Sequence, residues 1–277
     1  MTIAVTGAAG FIGSHVVQAL VARGKAVVGI VRRPPIRPIP GLRYVQLDLA
    51  MACTDSFQAI GAPDALIHLA WGGLPHYRSL HHVERELPLQ YAFLAQMVRA
   101  GLQAVTVAGT CYEYGMVDGE LDEAREARPD NPYAFAKVAL LRQLQFLQTE
   151  TPFALNWARL FYMWGAGQAA TSIYPLLQAA IDRGDATFPM SAGEQLRDYL
   201  RVEEVAGMIV DLALGCGNHG VVNISSGTPI SIRTLVERWI AERDASIVPQ
   251  LGHYPYPNYE PLAFWGSAAK RRAILGY

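Results

Sequence analysis

Only three of the 277 residues are cysteine, Cys53, Cys111 and Cys216, an odd number in no metal-ligand spacing. This argues against a disulfide framework and fits free thiols in a reducing compartment. The seven histidines do not make up the lack. His76, His81 and His82 lie closest together, but positions 81 and 82 project from different helix faces, and no carboxylate or cysteine completes a ligand set; no metal is expected. Charge is also scarce. Charged residues make up 17% of the chain, the formal net charge is −1, and no basic stripe stands out. Electrostatic binding to nucleic acid or to an anionic membrane therefore has no support. No apolar run approaches the length of a membrane span, and Thr2-Ile3-Ala4-Val5-Thr6 opens the chain as a strand pattern without the basic flank of a signal peptide. The expected location is the cytoplasm. Internal repeats and low-complexity linkers are missing too.

What is abundant is apolar surface, 51% of residues, in a chain long enough to bury a substantial core. Short apolar runs occupy 2–6, 26–31, 43–47, 65–69 and 103–108. Helix-period stretches lie between several of them, notably 11–23 closed by Gly24 and 79–100 closed by Gly101. Apolar runs without polar alternation suit strands buried on both faces, so the pattern predicts an α/β fold with a doubly wound parallel sheet. Further on we expect a helix over 133–149, a strand over 153–160, helices near 172–183, 202–214 and 231–243, a strand at 220–224 and a last helix over 267–275. The four prolines of Arg32–Gly41 remove donors and fix φ, which makes that stretch a surface loop. His253–Gly266, rich in Pro and Tyr, reads as an extended crossing segment, with Tyr254, Tyr256, Tyr259, Phe264 and Trp265 as core that closes a lobe in preference to the alternative, a surface that stacks on a nucleotide base.

Thr6-Gly7-Ala8-Ala9-Gly10-Phe11-Ile12-Gly13 follows the first strand and opens the first helix. Gly7 permits a tight turn, Gly10 lets backbone approach a pyrophosphate, and Gly13 lets helix and strand pack closely. The helix N-terminus offers free N–H groups and a partial positive charge. Gly7, Ala9, Gly10, Phe11, Ile12 and Gly13 are thus candidate dinucleotide contacts. The second strand ends Val31-Arg32-Arg33, without the carboxylate that would repel a 2′-phosphate, so Arg32 and Arg33 favour NADP(H), with NAD(H) possible. As bland alternatives, the two arginines are a solvated pair at a loop start. Asp48, beside Leu49, is an acceptor for the adenine amino group or else a turn cap.

Tyr133 and Lys137 stand four apart on one face of a predicted helix that Pro132 suits as a start. A phenol near pKa 10 is a poor acid–base group at neutral pH until it is lowered, and an ammonium one turn away together with the positive nicotinamide ring of an oxidised cofactor has the right sign to do so. Thr110 follows the run Ala104–Gly109, at the strand end that faces a ligand crevice in an open parallel sheet.

With these residues in view, the sequence resembles the extended short-chain dehydrogenase/reductase family, in its nucleotide-sugar epimerase, dehydratase and 4-ketoreductase branch. The matching motifs are TGAAGFIG at 6–13, HLA at 68–70, GTCYEYG at 109–115, NPYAFAK at 131–137, RLFYMWGAGQ at 159–168, QLRDYLRVEEVA at 195–206 and VVNISSG at 221–227. The resemblance implies a Rossmann sheet formed by 1–165 with about 198–228, and a small substrate-binding lobe formed by about 166–197 with 229–277. It implies Tyr133 as general acid/base, Lys137 on the nicotinamide ribose and lowering the tyrosine pKa, and Thr110 on the reacting sugar oxygen. Leu69 and Ala70 would line the cofactor. Trp71, His76, Thr110, Cys111, Tyr112, Tyr162 and Arg197 would face the substrate, Arg197 on its diphosphate, while Arg159 reads as structural. Leu94, Met97, Val98, Leu140, Leu141 and Leu144 lie on the helices that pair in dimeric relatives, so a homodimer is implied, although burial against the sheet explains the same pattern. Several positions depart from the family. Cys111 and Tyr112 stand where 4,6-dehydratases carry an Asp-Glu pair, so that elimination is not expected. Tyr162 and Glu86 replace common asparagines, and Pro257 and Asn258 fall where some relatives have a second phosphate-binding arginine. The expected activity is NAD(P)-dependent reduction of a nucleotide-linked 4-keto-6-deoxyhexose. An NAD-dependent C4 epimerase is the alternative, and a non-catalytic dinucleotide sensor a remote one.

Overall fold

The computed structural model describes residues 1–35, 38–215, 217–256 and 260–277. Cys216, Arg37, Pro257, Asn258 and Tyr259 lie outside the described residues. Seven strands form one parallel sheet: β1 (Thr2–Thr6), β2 (Ala26–Val31), β3 (Arg43–Gln46), β4 (Ala65–His68), β5 (Ala104–Thr110), β6 (Ala154–Leu160) and β7 (Gly220–Ile224), in the order β7-β6-β5-β4-β1-β2-β3. Chain order runs outward from β1 to β3 on one side and then resumes at β4 on the other. The switch point therefore falls between β1 and β4, where a crevice opens at the strand C-termini. Register is set by paired apolar residues: Ile3 sits opposite Val27 and Ala65, and Val5 opposite Gly29 and Ile67.

Each face is covered by helices, as the unalternating strands require. One core joins Val16, Val17 and Leu20 of the first helix (Phe11–Ala22) to Val205, Ile209 and Leu212 of the helix Val202–Leu214. The other lies under the helices Leu87–Arg99 and Pro132–Glu150 and is filled by Phe93, Leu94, Met97, Leu140, Leu144 and Trp157. All six residues considered for a dimer face are buried inside this chain, so their apolar pattern is satisfied without a second copy. A third core, around Trp164, Leu177, Phe188, Leu235 and Trp239, sits apart from the sheet. No helix among the described residues is long and apolar enough to cross a membrane, and none of the described His, Cys, Asp and Glu side chains gather in threes to hold a metal ion.

Three sequence expectations change. The single helix expected over 79–100 is a π turn, His82–Glu86, followed by an α-helix from Leu87. Pro88 has no amide hydrogen, and the turn before it widens so that Leu87 N–H donates five residues back to the His82 carbonyl. Among the described residues of the aromatic tail only Phe264 is buried; Tyr254 and Tyr256 are 54% and 37% exposed, so they are not core. Phe264–Gly266 is instead a short strand parallel to Gly119–Leu121. This is one of several two-stranded pairings too short and too non-local to show as periodicity.

Candidate active site

The glycine turn is built as its chemistry requires. Gly7 has φ +67°, and a Cβ there would lie 3.0 Å from the Ala70 amide nitrogen. A Cβ on Gly13 would come within 2.0 Å of the Gly7 carbonyl oxygen. Gly10 N–H donates to that same carbonyl at 2.8 Å, which closes the turn. Thr6 Oγ1 accepts from the Leu69 and Ala70 amides at 3.1 and 3.2 Å and joins the end of β4 to the turn. Beside it opens a cleft of about 800 Å³ bordered by Gly7, Ala9, Gly10, Ala70 and, across it, Arg32 and Arg33. Asp48, Leu49, Leu69 and Trp71 also reach it. The cleft's size, close backbone approach and N-terminal helix fit a dinucleotide, held by the turn at its phosphates and by β2–β3 at its adenosine end. Phe11, Ile12 and Gly13 do not border the cleft; they start the helix behind it, where Gly13 serves packing. Asp48 already accepts from the Ala50 amide at 3.0 Å as the cap of a short 3₁₀ turn. Gly13→Val is expected to cost about 1–3 kcal/mol or more by overpacking against backbone that cannot yield. It should also weaken nicotinamide dinucleotide binding measured by calorimetry, and unchanged affinity would remove the turn from the binding element.

Thr110, Tyr133 and Lys137 come together, buried, at the C-terminal end of β5, and none of them lines that cleft or the second cavity beside it. Thr110 is the last residue of β5 and N-cap of the 3₁₀ turn Cys111–Tyr114. Tyr133 enters the helix behind Pro132, where Asn131 Oδ1 accepts from the Ala134 amide at 3.0 Å. The Thr110 hydroxyl lies near enough to the Tyr133 phenol to pull its pKa down. Lys137 Nζ donates to the Ala108 carbonyl at 2.8 Å and lies 5.8 Å from the Tyr133 ring centre. Both groups are buried, and Lys137 alone does not lower the phenol. Burial, helped by Tyr77, Glu113 and Cys111, lifts Tyr133 well above the ordinary phenol range despite Thr110. Burial likewise pushes Lys137 down to about 7 against the pull of Glu113 and Glu86. In this buried setting Tyr133 is protonated and a weaker acid than a free phenol.

The wall behind Thr110 rests on one carboxylate. Glu113, fully buried, accepts from the Thr110 amide at 2.8 Å, from Trp157 Nε1 at 2.9 Å, and from Arg159 at 2.9 Å. Arg159 is therefore structural, as read from the sequence. A second cavity of about 630 Å³ adjoins, lined by His76, Tyr77, Tyr112, Asn131 and Glu260. Of the substrate candidates, His76 and Tyr112 border it, whereas Trp71 lies on the dinucleotide side. Cys111 is buried, its thiol pushed up by desolvation. Tyr162 and Arg197 border neither cavity. Glu260 gathers them: its Oε1 accepts from Tyr112 and Tyr162 hydroxyls at 2.7 Å each, and its Oε2 from Arg197 at 2.9 Å. Arg197 also donates to the Leu196, Pro261 and Leu262 carbonyls, so this structure commits it to the protein. Sequence reasoning missed Glu260 and Tyr77. Glu260 is the only acid in the Pro/Tyr tail 253–266, a signal that was available.

The comparisons with known proteins agree with this geometry. The NAD dependent epimerase/dehydratase family matches residues 3–225. The chain is 32% identical over 272 residues to the dTDP-6-deoxy-L-talose 4-dehydrogenase (NAD(+)) of Aggregatibacter actinomycetemcomitans, covering 96% of this chain and 100% of that one. It is 26% identical over 270 residues to the dTDP-6-deoxy-L-talose 4-dehydrogenase (NAD(P)(+)) of Kitasatospora kifunensis, covering 92% and 83%. Among solved structures, MoeE5 in complex with UDP-glucuronic acid and NAD superposes with a TM-score of 0.83 at 26% identity, over 100% of this chain and 93% of that one. The family match over residues 3–225, with a glycine-cradled cleft at the sheet's switch point and a Thr-Tyr-Lys cluster beside it, makes this protein a member of the NAD-dependent epimerase/dehydratase family.

Proposed function

We propose that the protein is an oxidoreductase acting on C4 of a nucleotide-linked 6-deoxyhexose, reducing the 4-keto sugar, with NADPH favoured and NADH accepted. The observation that carries this reading is the buried Thr110–Tyr133–Lys137 cluster, whose Tyr133 ring packs on Trp71 of the dinucleotide cleft and on Tyr77 of the second cavity, with Cys111 and Tyr112 next to it instead of an acid pair. The thiol is buried and the phenol is bound to Glu260, so neither can run an elimination. The names of two full-length relatives, both 4-dehydrogenases of a dTDP-6-deoxyhexose, support the same carbon and the same redox step.

The bound nicotinamide cofactor would supply hydride, held by the Gly7–Gly13 turn and by Arg32 and Arg33. Tyr133, kept protonated by burial, gives its proton to the sugar oxygen that becomes the C4 hydroxyl. Thr110 orients that oxygen and holds the phenol in line. Lys137 anchors the cofactor's ribose end and offsets the phenolate left behind. His76 and Tyr112 border the sugar's cavity, and the separate core around Trp164 and Trp239 backs the lobe (about 166–197 with 229–277) that closes over it. C4 epimerisation would use the same groups and is the competing outcome.

The test is a screen of NADPH oxidation across dTDP-, GDP-, CDP- and UDP-linked 4-keto sugars. Turnover with one of them and net conversion to the 4-hydroxy sugar is expected. Tight stoichiometric NAD without consumption of NADPH would favour the epimerase. Replacing Arg32 and Arg33 together with alanine is expected to lower kcat/KM for NADPH by on the order of tenfold or more and to leave NADH nearly unchanged, since charge-assisted contacts to the 2′-phosphate are lost. Equal losses with both cofactors would place the arginines elsewhere.

A further inference from the structure

Trp71 ties the acid–base pair to a histidine that the proposed reaction leaves without a role. The indole follows β4, borders the dinucleotide cleft, and carries the Lys137 ammonium 3.9 Å above its ring centre. It also meets the Tyr133 ring edge-on at 5.9 Å. The indole plane is held from the far side: Trp71 Nε1 donates to His82 Nδ1 at 3.1 Å. His82 Nε2 donates in turn to the His76 carbonyl at 3.0 Å, and His76 borders the adjoining cavity. The partners dictate the tautomer. An indole N–H can only donate and a carbonyl can only accept, so His82 must be neutral, with its hydrogen on Nε2. The ring is fully buried, 5.2 Å from that of Tyr133, and the π turn before Pro88 is what places it there.

We propose that neutral His82 is a positioning residue of the acid–base site, fixing through Trp71 the surface on which the Lys137 ammonium rests. This builds on the reading of Tyr133 and Lys137 as the acid–base pair. Protonation of His82 turns Nδ1 from acceptor to donor, facing the indole donor, and the link opens. The charged and titratable groups around the ring are His81 and Glu86 from its own segment, and Lys137 and Tyr133 from the helix Pro132–Glu150. Burial, His81 and Lys137 hold His82 below the ordinary histidine range, while the His76 hydrogen bond and Glu86 oppose them. The neutral form therefore prevails at neutral pH and is lost only on acidification below about 6.5, the ordinary histidine value.

His82→Gln keeps an acceptor and a donor but cannot titrate; His82→Leu keeps neither. In the NADPH-dependent assay, His82→Leu should lower kcat about tenfold at neutral pH with the sugar KM unchanged, the size of one lost buried hydrogen bond. His82→Gln should retain most of kcat and lose the wild-type fall on the acid side of its pH profile. A His82→Leu enzyme with wild-type kcat, or a His82→Gln enzyme with the wild-type acid limb, overturns the proposal. A second measurement needs neither substrate nor variant. Imidazole nitrogen NMR of the ¹⁵N-histidine-labelled protein with NADPH should show His82 as the Nε2–H tautomer at neutral pH, and an Nδ1–H or doubly protonated ring contradicts the link. If no keto sugar turns over, the assigned reaction fails, and the tautomer still decides the His82–Trp71 claim.

Discussion

Tyr133→Phe is expected to lower kcat by on the order of a hundredfold or more, with NADPH affinity held within a few-fold. The change removes one oxygen from a buried ring packed by Trp71, Tyr77 and His82, so the fold has little reason to alter. It takes away the phenolic proton that the proposed reaction delivers to the sugar oxygen, and it leaves Thr110 beside a bare ring edge. Steady-state turnover compared with NADPH binding by fluorescence separates the two effects. Loss of kcat with retained binding is the predicted pattern. Turnover within a few-fold of wild type would show that the proton comes from elsewhere.

Arg159→Ala should have the largest effect on stability. Glu113 is wholly enclosed and bound to Arg159, Trp157 and the Thr110 backbone, so removing the guanidinium strands a carboxylate in the interior. Breaking such a pair from one side costs about 3–5 kcal/mol. In a chain of this size that lowers Tm by roughly 10 °C. Activity should fall as well, because Glu113 holds the backbone from which the Thr110 hydroxyl projects. Converting both partners, Glu113→Gln with Arg159→Met, should cost less than the single change, since no charge is left unpaired. Denaturation of the three variants side by side measures this. A single variant that melts with the wild type would mean water reaches the carboxylate.

The dinucleotide half of the molecule could be read from the chain because its signals are local. Gly7, Gly10 and Gly13 sit within one turn, each strand is one apolar run, and Tyr133 and Lys137 share a helix face. The sheet follows from those runs once their burial on both faces is granted. The substrate half was less legible because its contacts join distant parts of the chain. Glu260 reaches Tyr112 across 148 positions and Tyr162 across 98, and no spacing rule connects them. Arg197 looked like a ligand for phosphate because a guanidinium in a family motif carries that expectation, and the carboxylate that engages it comes from a segment read only as a crossing. The raised phenol was missed for a different reason. The charge argument counted Lys137 together with the oxidised nicotinamide ring, and burial of both side chains outweighs the share of Lys137. The widened turn at His82–Glu86 was also foreseeable in principle, since Pro88 stands inside the helical pattern, but its consequence, a histidine seated under Trp71, depends on packing.

The central claim is that hydride passes from the cofactor pool to C4 of a nucleotide sugar, with Tyr133 supplying the proton. NADPH carrying deuterium at nicotinamide C4, incubated with the protein and a dTDP-4-keto-6-deoxyhexose, tests it directly by mass and NMR analysis of the sugar. The account predicts one deuterium at C4 of the product, matched to cofactor oxidised, and none with Tyr133→Phe. A sugar inverted at C4 without deuterium, and with the cofactor unconsumed, would contradict it.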